Sequence, residues 1–183
     1  MNITQESRRL FLKVLSANDA KLVLDFYIRN KDFFEPWEAV KVPNFYTLDY
    51  QRAVLVDEMN QFIRSKYLRF YLFLKENPNT IIGSVCFSNI HYGIYQNCLL
   101  GYKIDKNYIR HRYGAEAIAK SLDLIFHEWK LHRIEVLISP KNIPSLNLSK
   151  KLGFYPEGMS YSCIKINGQW QDCHRLVMIN PYE

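Results

Sequence analysis

The chain has 183 residues, enough for one well-filled hydrophobic core, and 48% of them are hydrophobic. We expect a single domain spanning residues 1–183. Its 24 Lys and Arg against 18 Asp and Glu give a net charge of +6, which suits phosphate-bearing partners. That excess is too small to indicate nucleic acid, and no clustered basic stripe with interleaved aromatic residues supports an RNA-binding protein.

The composition gives no sign of a metal centre, a disulfide framework or a membrane span. Four cysteines stand singly along the chain: Cys86, Cys98, Cys163 and Cys173. Their spacing fits neither zinc ligands nor a small disulfide-rich fold. No apolar run approaches about 18 residues, and Glu6, Arg8 and Arg9 stand where a signal peptide needs an apolar stretch. We expect a soluble cytoplasmic protein with reduced cysteines and no metal.

The chain begins with a strand-like pattern at residues 8–15 and continues with a capped helical pattern at 16–29. Residues 30–46 are rich in Phe, Trp and Tyr but contain Pro36 and Pro43, which break regular structure. This pattern predicts an irregular aromatic loop, which either walls a substrate mouth or packs on its own domain.

The rest of the chain alternates between strand-like and helical hydrophobic patterns. In chain order they are a helix at 47–63, strands at 68–75, 81–90 and 97–104, a helix from Tyr113, a strand at 132–138, a short helix at 142–151 and a hairpin turning at Asn167 and Gly168. A turn at 77–80 is predicted to join the first two of these strands. A strand–helix–strand unit inside an otherwise hairpin-connected sheet predicts a mixed α/β fold.

A basic turn precedes the helix that starts at Tyr113. Arg110, His111 and Arg112 lead directly into its first turn. The first N–H groups of a helix lack partners and its dipole favours anions, so this turn is typical of a pyrophosphate site. An ordinary solvated basic turn is the alternative.

Several short motifs, taken in order, resemble one family. They are Pro36-Trp37-Glu38, Phe87-Ser88-Asn89, Leu100-Gly101-Tyr102, the segment 113–117, Asn142-x-x-Ser145, the segment 151–154 and Asn167-Gly168-Gln169-Trp170. Together they resemble the GNAT acyl-CoA N-acyltransferases, and within them the Rim-type ribosomal-protein N-terminal acetyltransferases of the RimJ branch. The resemblance implies a mixed, mostly antiparallel sheet with a V-shaped split between central strands and flanking helices.

The resemblance also implies where acetyl-CoA binds. It assigns Tyr102, Lys103 and Ile104 to pantetheine, Arg110, His111, Arg112, Tyr113, Gly114 and Ala115 to the pyrophosphate, and Asn142 and Ser145 to the thioester. Arg112 stands where the family's phosphate loop has its inner glycine. Ser149 stands where many members have a Tyr that protonates the departing thiolate, so the resemblance leaves Ser145 to stabilise that sulfur.

For the acceptor side we single out Trp37, Glu38 and Asn89. Glu38 is a candidate general base or amine anchor, or else a solvated loop carboxylate, and Asn89 either orients the acceptor or bonds its own turn. The implied activity is acetyl transfer to an amine, foremost the N-terminal α-amine of a ribosomal or other protein. A polyamine or aminoglycoside acetyltransferase and a CoA-binding module without turnover are the alternatives, and the protein is expected to be a monomer or a homodimer.

Overall fold

The computed structural model describes residues 4–183 and consists of one mixed sheet with helices on both faces. Its strands are β1 (Thr4–Glu6), β2 (Leu10–Lys13), β3 (Leu68–Leu74), β4 (Asn77–His91), β5 (Asn97–Ile104), β6 (Arg133–Ile138), β7 (Tyr155–Ile166) and β8 (Gln169–Ile179). Its helices are α1 (Ala20–Arg29), α2 (Lys31–Phe34), α3 (Leu48–Ile63), α4 (Tyr113–His127) and α5 (Ile143–Lys151). The predicted mixed α/β fold is confirmed.

The strand order across the sheet is β1-β2-β3-β4-β5-β6-β8-β7. The pair β5–β6 is parallel, and the other described pairs are antiparallel. The β5–β6 pairing ends at Leu99 and Glu135, whereas β5 itself continues to Ile104 and β6 to Ile138. The two central strands therefore separate into a V-shaped split whose closed end lies at Leu99.

Two hydrophobic clusters hold the helices to the sheet. The larger includes Ile118 and Ile125 of α4 with Leu100 of β5, and the smaller includes Phe26 of α1 and Leu55 of α3. All but Leu100 are fully buried, so close-packed side chains hold α4 in the larger cluster, and α1 and α3 in the smaller one, against the sheet.

Three local predictions need correction. The polar strand β1 was not predicted, because Thr4–Glu6 shows no apolar alternation. The β3–β4 turn lies at residues 75–76 rather than 77–80, since irregular pairing after Leu72 lets β4 begin at Asn77. Part of the aromatic segment is helical, forming α2 and a 3-10 turn at Glu35–Trp37.

Two features are absent from residues 4–183. No helix there is both long and apolar enough to cross a membrane. No cluster of three or more His, Cys, Asp or Glu side chains in the same part of the chain could hold a metal ion.

Candidate functional site

The free edge of β5 lines one side of the split. The Gln96 carbonyl accepts from the N–H of Arg133 at 3.0 Å, whereas the N–H of Asp105 donates to the Ile82 carbonyl at 2.9 Å on the opposite side. Since backbone groups alternate along a strand, Tyr102 and Ile104 turn their N–H and C=O groups toward the split. An extended pantetheine chain fits this edge as an added strand.

Lys103 has a different orientation from its two neighbours. Its backbone groups face β4 within the ladder, where it pairs with Ser84, so the edge assignment made for Lys103 does not follow from the register. Its side chain crosses the other face of the sheet and forms an ion pair with Glu38. The Lys103 side chain therefore lies beside Glu38, away from the free edge of β5.

The basic turn and the first turn of α4 form one continuous segment, residues 110–115, which is named the cradle. Arg110 and Arg112 both have left-handed backbone, with φ of 65° and 63°, and both are exposed. The side chain of the N-cap residue, Arg112, makes no capping hydrogen bond to α4, whose first internal bond runs from the Glu116 N–H to the Arg112 carbonyl at 3.1 Å. The N–H groups of residues 113–115 therefore stay free of intrahelical bonds and suit a pyrophosphate.

Arg112 occupies the position to which the resemblance assigns a loop glycine. Arg112 adopts the left-handed conformation that glycine favours, at a cost on the order of 1 kcal/mol. Gly114 is needed for a different reason, because a Cβ there would lie 3.3 Å from Ile104 Cγ1. The first turn of α4 consequently packs directly against the end of the free β5 edge.

The β1–β2 hairpin makes hydrogen bonds and an ion pair to the cradle and the adjoining residue Glu116. Glu116 accepts from Arg9 Nε at 2.8 Å, from the Arg9 N–H at 2.7 Å and from Ser7 Oγ at 2.7 Å. Arg9 also donates to the His111 carbonyl at 3.1 Å and lies over the Tyr113 ring. Burial alone would raise the pKa of Glu116, but the bonds from Arg9 and Ser7 lower it below its ordinary value.

A buried carboxylate anchors the turn between β5 and the cradle. Asp105 is fully buried and accepts from Arg29 Nε at 2.7 Å and from Asn30 Nδ2 at 2.9 Å. Asn30 in turn accepts from the Lys106 N–H at 2.9 Å. The end of α1 thereby fixes the direction in which the chain leaves the split.

Asn142 and Ser145 come together at the start of α5. Asn142 is the N-cap, and its Oδ1 accepts from the Ser145 N–H at 3.3 Å. From the other arm of the split, Tyr102 Oη donates to the Ser145 carbonyl at 3.2 Å. The Ser145 side chain is half-buried, and no hydrogen bond to its Oγ occurs among the described residues.

Glu38 is held by two cations. Its carboxylate forms ion pairs with Lys103 and Lys41, and its carbonyl accepts from the Asn167 N–H at the tip of the β7–β8 hairpin at 2.9 Å. Burial would raise the pKa of Glu38, but the two lysines outweigh it and hold that pKa below its ordinary value. Glu38 is therefore ionised at neutral pH and carries a fixed negative charge.

The other two acceptor-side residues are exposed. The Trp37 side chain is 43% accessible, and Asn89 sits at a break in the β4 register with φ of 50°. Within residues 4–183, no hydrogen bond or ion pair joins either side chain to Glu38.

The sequence predictions missed Ser7, Arg9 and Glu116, because no local pattern links residues so far apart. They also missed Glu135, a buried carboxylate at the closed end of the split that pairs with Arg133 at 2.9 Å and Arg175 at 3.5 Å. A lone charge inside the apolar run of β6 was the available signal.

The sequence model of the acetyltransferase (GNAT) domain matches residues 9–155. The chain belongs to the GNAT acetyltransferase family. This GNAT protein is thus an acyltransferase, and the family uses acetyl-CoA as its acyl donor.

Individual relatives are similar over nearly the whole length. The probable N-acetyltransferase YjcK of Bacillus subtilis is 31% identical, with 96% of this chain and 97% of the relative covered. The ribosomal protein uS5-alanine N-acetyltransferase of Escherichia coli is 28% identical over 94% of this GNAT chain and 89% of its own. The crystal structure of the ribosomal-protein-S5-alanine acetyltransferase of Vibrio fischeri superposes with a TM-score of 0.92 at 26% identity, covering 98% of both chains.

Proposed function

We propose that this protein transfers the acetyl group of acetyl-CoA to the N-terminal α-amine of a protein, with a ribosomal protein as the foremost acceptor and the cytoplasm as the place of action. The observation that carries the proposal is the meeting, around one split, of the free β5 edge, the uncapped start of α4 and Ser145. Full-length similarity to a uS5-alanine acetyltransferase supports the choice of acceptor.

Each part of the split has a distinct task in this proposal. The backbone of Tyr102 and Ile104 binds pantetheine, and the N–H groups of residues 113–115 bind the pyrophosphate, assisted by Arg110 and Arg112. Asn142 fixes the first turn of α5, so that Ser145 Oγ donates to the sulfur as it leaves. Acetyl-CoA supplies the activated acyl group, and the amine attacks it directly while both are bound.

The acceptor amine requires little help to lose its proton. A free α-amine has a pKa of about 7.7 to 8.0, so a substantial fraction is neutral near pH 7.5, whereas a lysine amine at about 10.4 is almost fully charged. Glu38 stays anionic between Lys41 and Lys103, which suits it to accept a hydrogen bond from the N–H of the incoming amine. Trp37 and Asn89 are assigned to the walls of the acceptor groove.

The test is thiol release from acetyl-CoA with four acceptors: a peptide with the uS5 N-terminus, the same peptide with its N-terminus blocked, a blocked lysine peptide and spermidine. Turnover confined to the free N-terminus supports the proposal. Turnover of spermidine alone would establish a small-amine acetyltransferase instead. Binding of CoA without turnover of any acceptor would leave a CoA-binding module.

A further inference from the structure

Tyr102 connects the two arms of the split. It lies on the part of β5 that has separated from β6, yet its hydroxyl reaches α5, 3.2 Å from the Ser145 carbonyl and 3.5 Å from Ser149 Oγ. Its ring is half-buried and packs against the larger hydrophobic cluster, which restricts the position of the hydroxyl. A strand side chain therefore brings a phenol to the helix that carries Ser145.

Ser149 makes room for this phenol. It lies on the same face of α5 as Ser145, one turn further along, and is 1% exposed. A larger side chain at this position would overlap the Tyr102 hydroxyl, since the two oxygens are already at hydrogen-bond distance. The helix thus provides the space, and β5 provides the aromatic hydroxyl.

The consequence for Ser145 is that both of its backbone polar groups have side-chain partners, one at the N-cap of α5 and one on β5. Asn142 Oδ1 accepts from its N–H, and Tyr102 Oη donates to its carbonyl. Side-chain hydroxyls placed in this way act best when their backbone is fixed to within a fraction of an ångström. With the backbone held, Ser145 Oγ keeps its own donor available for a ligand.

We propose that Tyr102 is a positioning residue, which sets the first turn of α5 so that Ser145 Oγ meets the sulfur of coenzyme A. This inference rests on the proposed function for the kinetic consequence, but its binding consequence does not depend on the acceptor. Tyr102 acts through Ser145. A general stabilising contact would affect the rate whether or not Ser145 is present, whereas this role requires both the Tyr102 hydroxyl and Ser145.

The first experiment is a double-mutant cycle in the full chain with Tyr102→Phe and Ser145→Ala. Tyr108→Phe is the matched control, because Tyr108 is also half-buried against the same cluster and its hydroxyl has no hydrogen-bond partner among residues 4–183. We expect Y102F to lower kcat about tenfold, the effect of one lost hydrogen bond of ordinary strength, with the KM for acetyl-CoA changed less than about twofold. The double variant should be no slower than S145A alone.

The second experiment measures binding of CoA and of desulfo-CoA by calorimetry, with no acceptor present. The wild-type protein and Y108F should prefer CoA about fivefold, as expected of one hydrogen bond to the sulfur, and Y102F and S145A should lose that preference. Thermal melts show whether all the variants are folded and equally stable.

The outcomes test the positioning role of Tyr102 separately from the proposed function. The positioning role would be overturned by any of three results. They are kcat losses of Y102F and S145A that multiply in the double variant, a Y102F rate equal to that of Y108F, and a Y102F protein that still prefers CoA to desulfo-CoA. If the wild-type protein turns over no free-N-terminus peptide, the proposed function fails, and the binding comparison still decides the role of Tyr102.

Discussion

Arg9 Nε donates to Glu116 Oε2 at 2.8 Å although the two residues are 107 positions apart in the chain. The pair joins the β1–β2 hairpin to the first turn of α4, and Arg9 holds the His111 carbonyl with the same guanidinium. The cradle is therefore held in place by contacts from outside the segment that forms it.

Glu116→Gln should weaken CoA binding about fivefold, because it removes the charge that holds Arg9 and so loosens the cradle. Calorimetric titration with CoA measures the change. Asp123→Asn, an exposed carboxylate on the same helix, is the control and should leave the affinity unchanged. Equal affinities of the two variants for CoA would show that the Arg9–Glu116 ion pair has no part in binding it.

The same carboxylate predicts a pH dependence of stability. The pKa of Glu116 is lowered in the folded state from its ordinary value of 4.5, so its contribution is complete above pH 4.5 and is lost as the pH falls through the folded-state pKa. The difference in unfolding free energy between the wild-type protein and E116Q should therefore shrink on acidification below about pH 4.5. Urea unfolding at pH 7 and pH 4 measures it, and a difference that grows at acid pH would contradict the assignment.

Arg112→Gly and Arg112→Ala should separate backbone strain from charge at the cradle. Both remove the guanidinium and should weaken CoA binding alike. R112G alone relieves the left-handed conformation, so it should be more stable than R112A by about 1 kcal/mol. Urea unfolding measures the difference, and equal stabilities would mean that the loop rearranges in solution.

Asp105→Asn should destabilise the fold by about 2 to 3 kcal/mol. It removes the charge paired with Arg29, and its NH2 group must face either the Arg29 and Asn30 donors or the Asn107 N–H, since each carboxylate oxygen of Asp105 accepts from donors. Urea unfolding measures the loss. Asp49→Asn removes an exposed ion pair with Arg52 and should cost less than about 0.5 kcal/mol. A cost for D105N no larger than that of D49N would contradict the anchoring role.

Glu38→Gln distinguishes an amine anchor from a general base. The lowered pKa keeps Glu38 ionised through the neutral range, so the rise of kcat/KM with pH should follow the α-amine of the peptide, near pKa 8, in both proteins. E38Q should lower kcat/KM about tenfold at every pH, because an amide is a weaker acceptor than a carboxylate for the N–H of the attacking amine. Glu76→Gln, in the exposed β3–β4 turn, is the control. A shift of the rising limb in E38Q would instead identify Glu38 as the base.

The sequence predicted correctly the features that depend on neighbours along the chain. The bounds of α3 and its Thr47 cap, the extent of β5 and the start of α4 after a basic turn all follow from local periodicity and capping. The family assignment, which rested on short motifs in a fixed order, is confirmed. The roles given to Ser145, Glu38 and Asn89 stay predictions.

Local signals also account for the misplaced β3–β4 turn. The residues at 77–80 have turn composition, but cross-strand pairing extends β4 to Asn77 and places the turn two residues earlier, at 75–76. Pro78 is tolerated there because the strand end is exposed. Packing and pairing across the sheet overrode a weak local preference.

What the sequence alone determined is the family and the order of the elements other than β1 and α2, since these depend on short stretches of adjacent residues. Only the tertiary structure decided that Arg9 clamps Glu116, that Lys103 turns its side chain to Glu38, and that Tyr102 spans the split to Ser145. The physical reason is that strand register and the separation of β5 from β6 set which face each side chain occupies. A shift of one residue in that register would exchange Tyr102 and Lys103 between the two sides of the sheet.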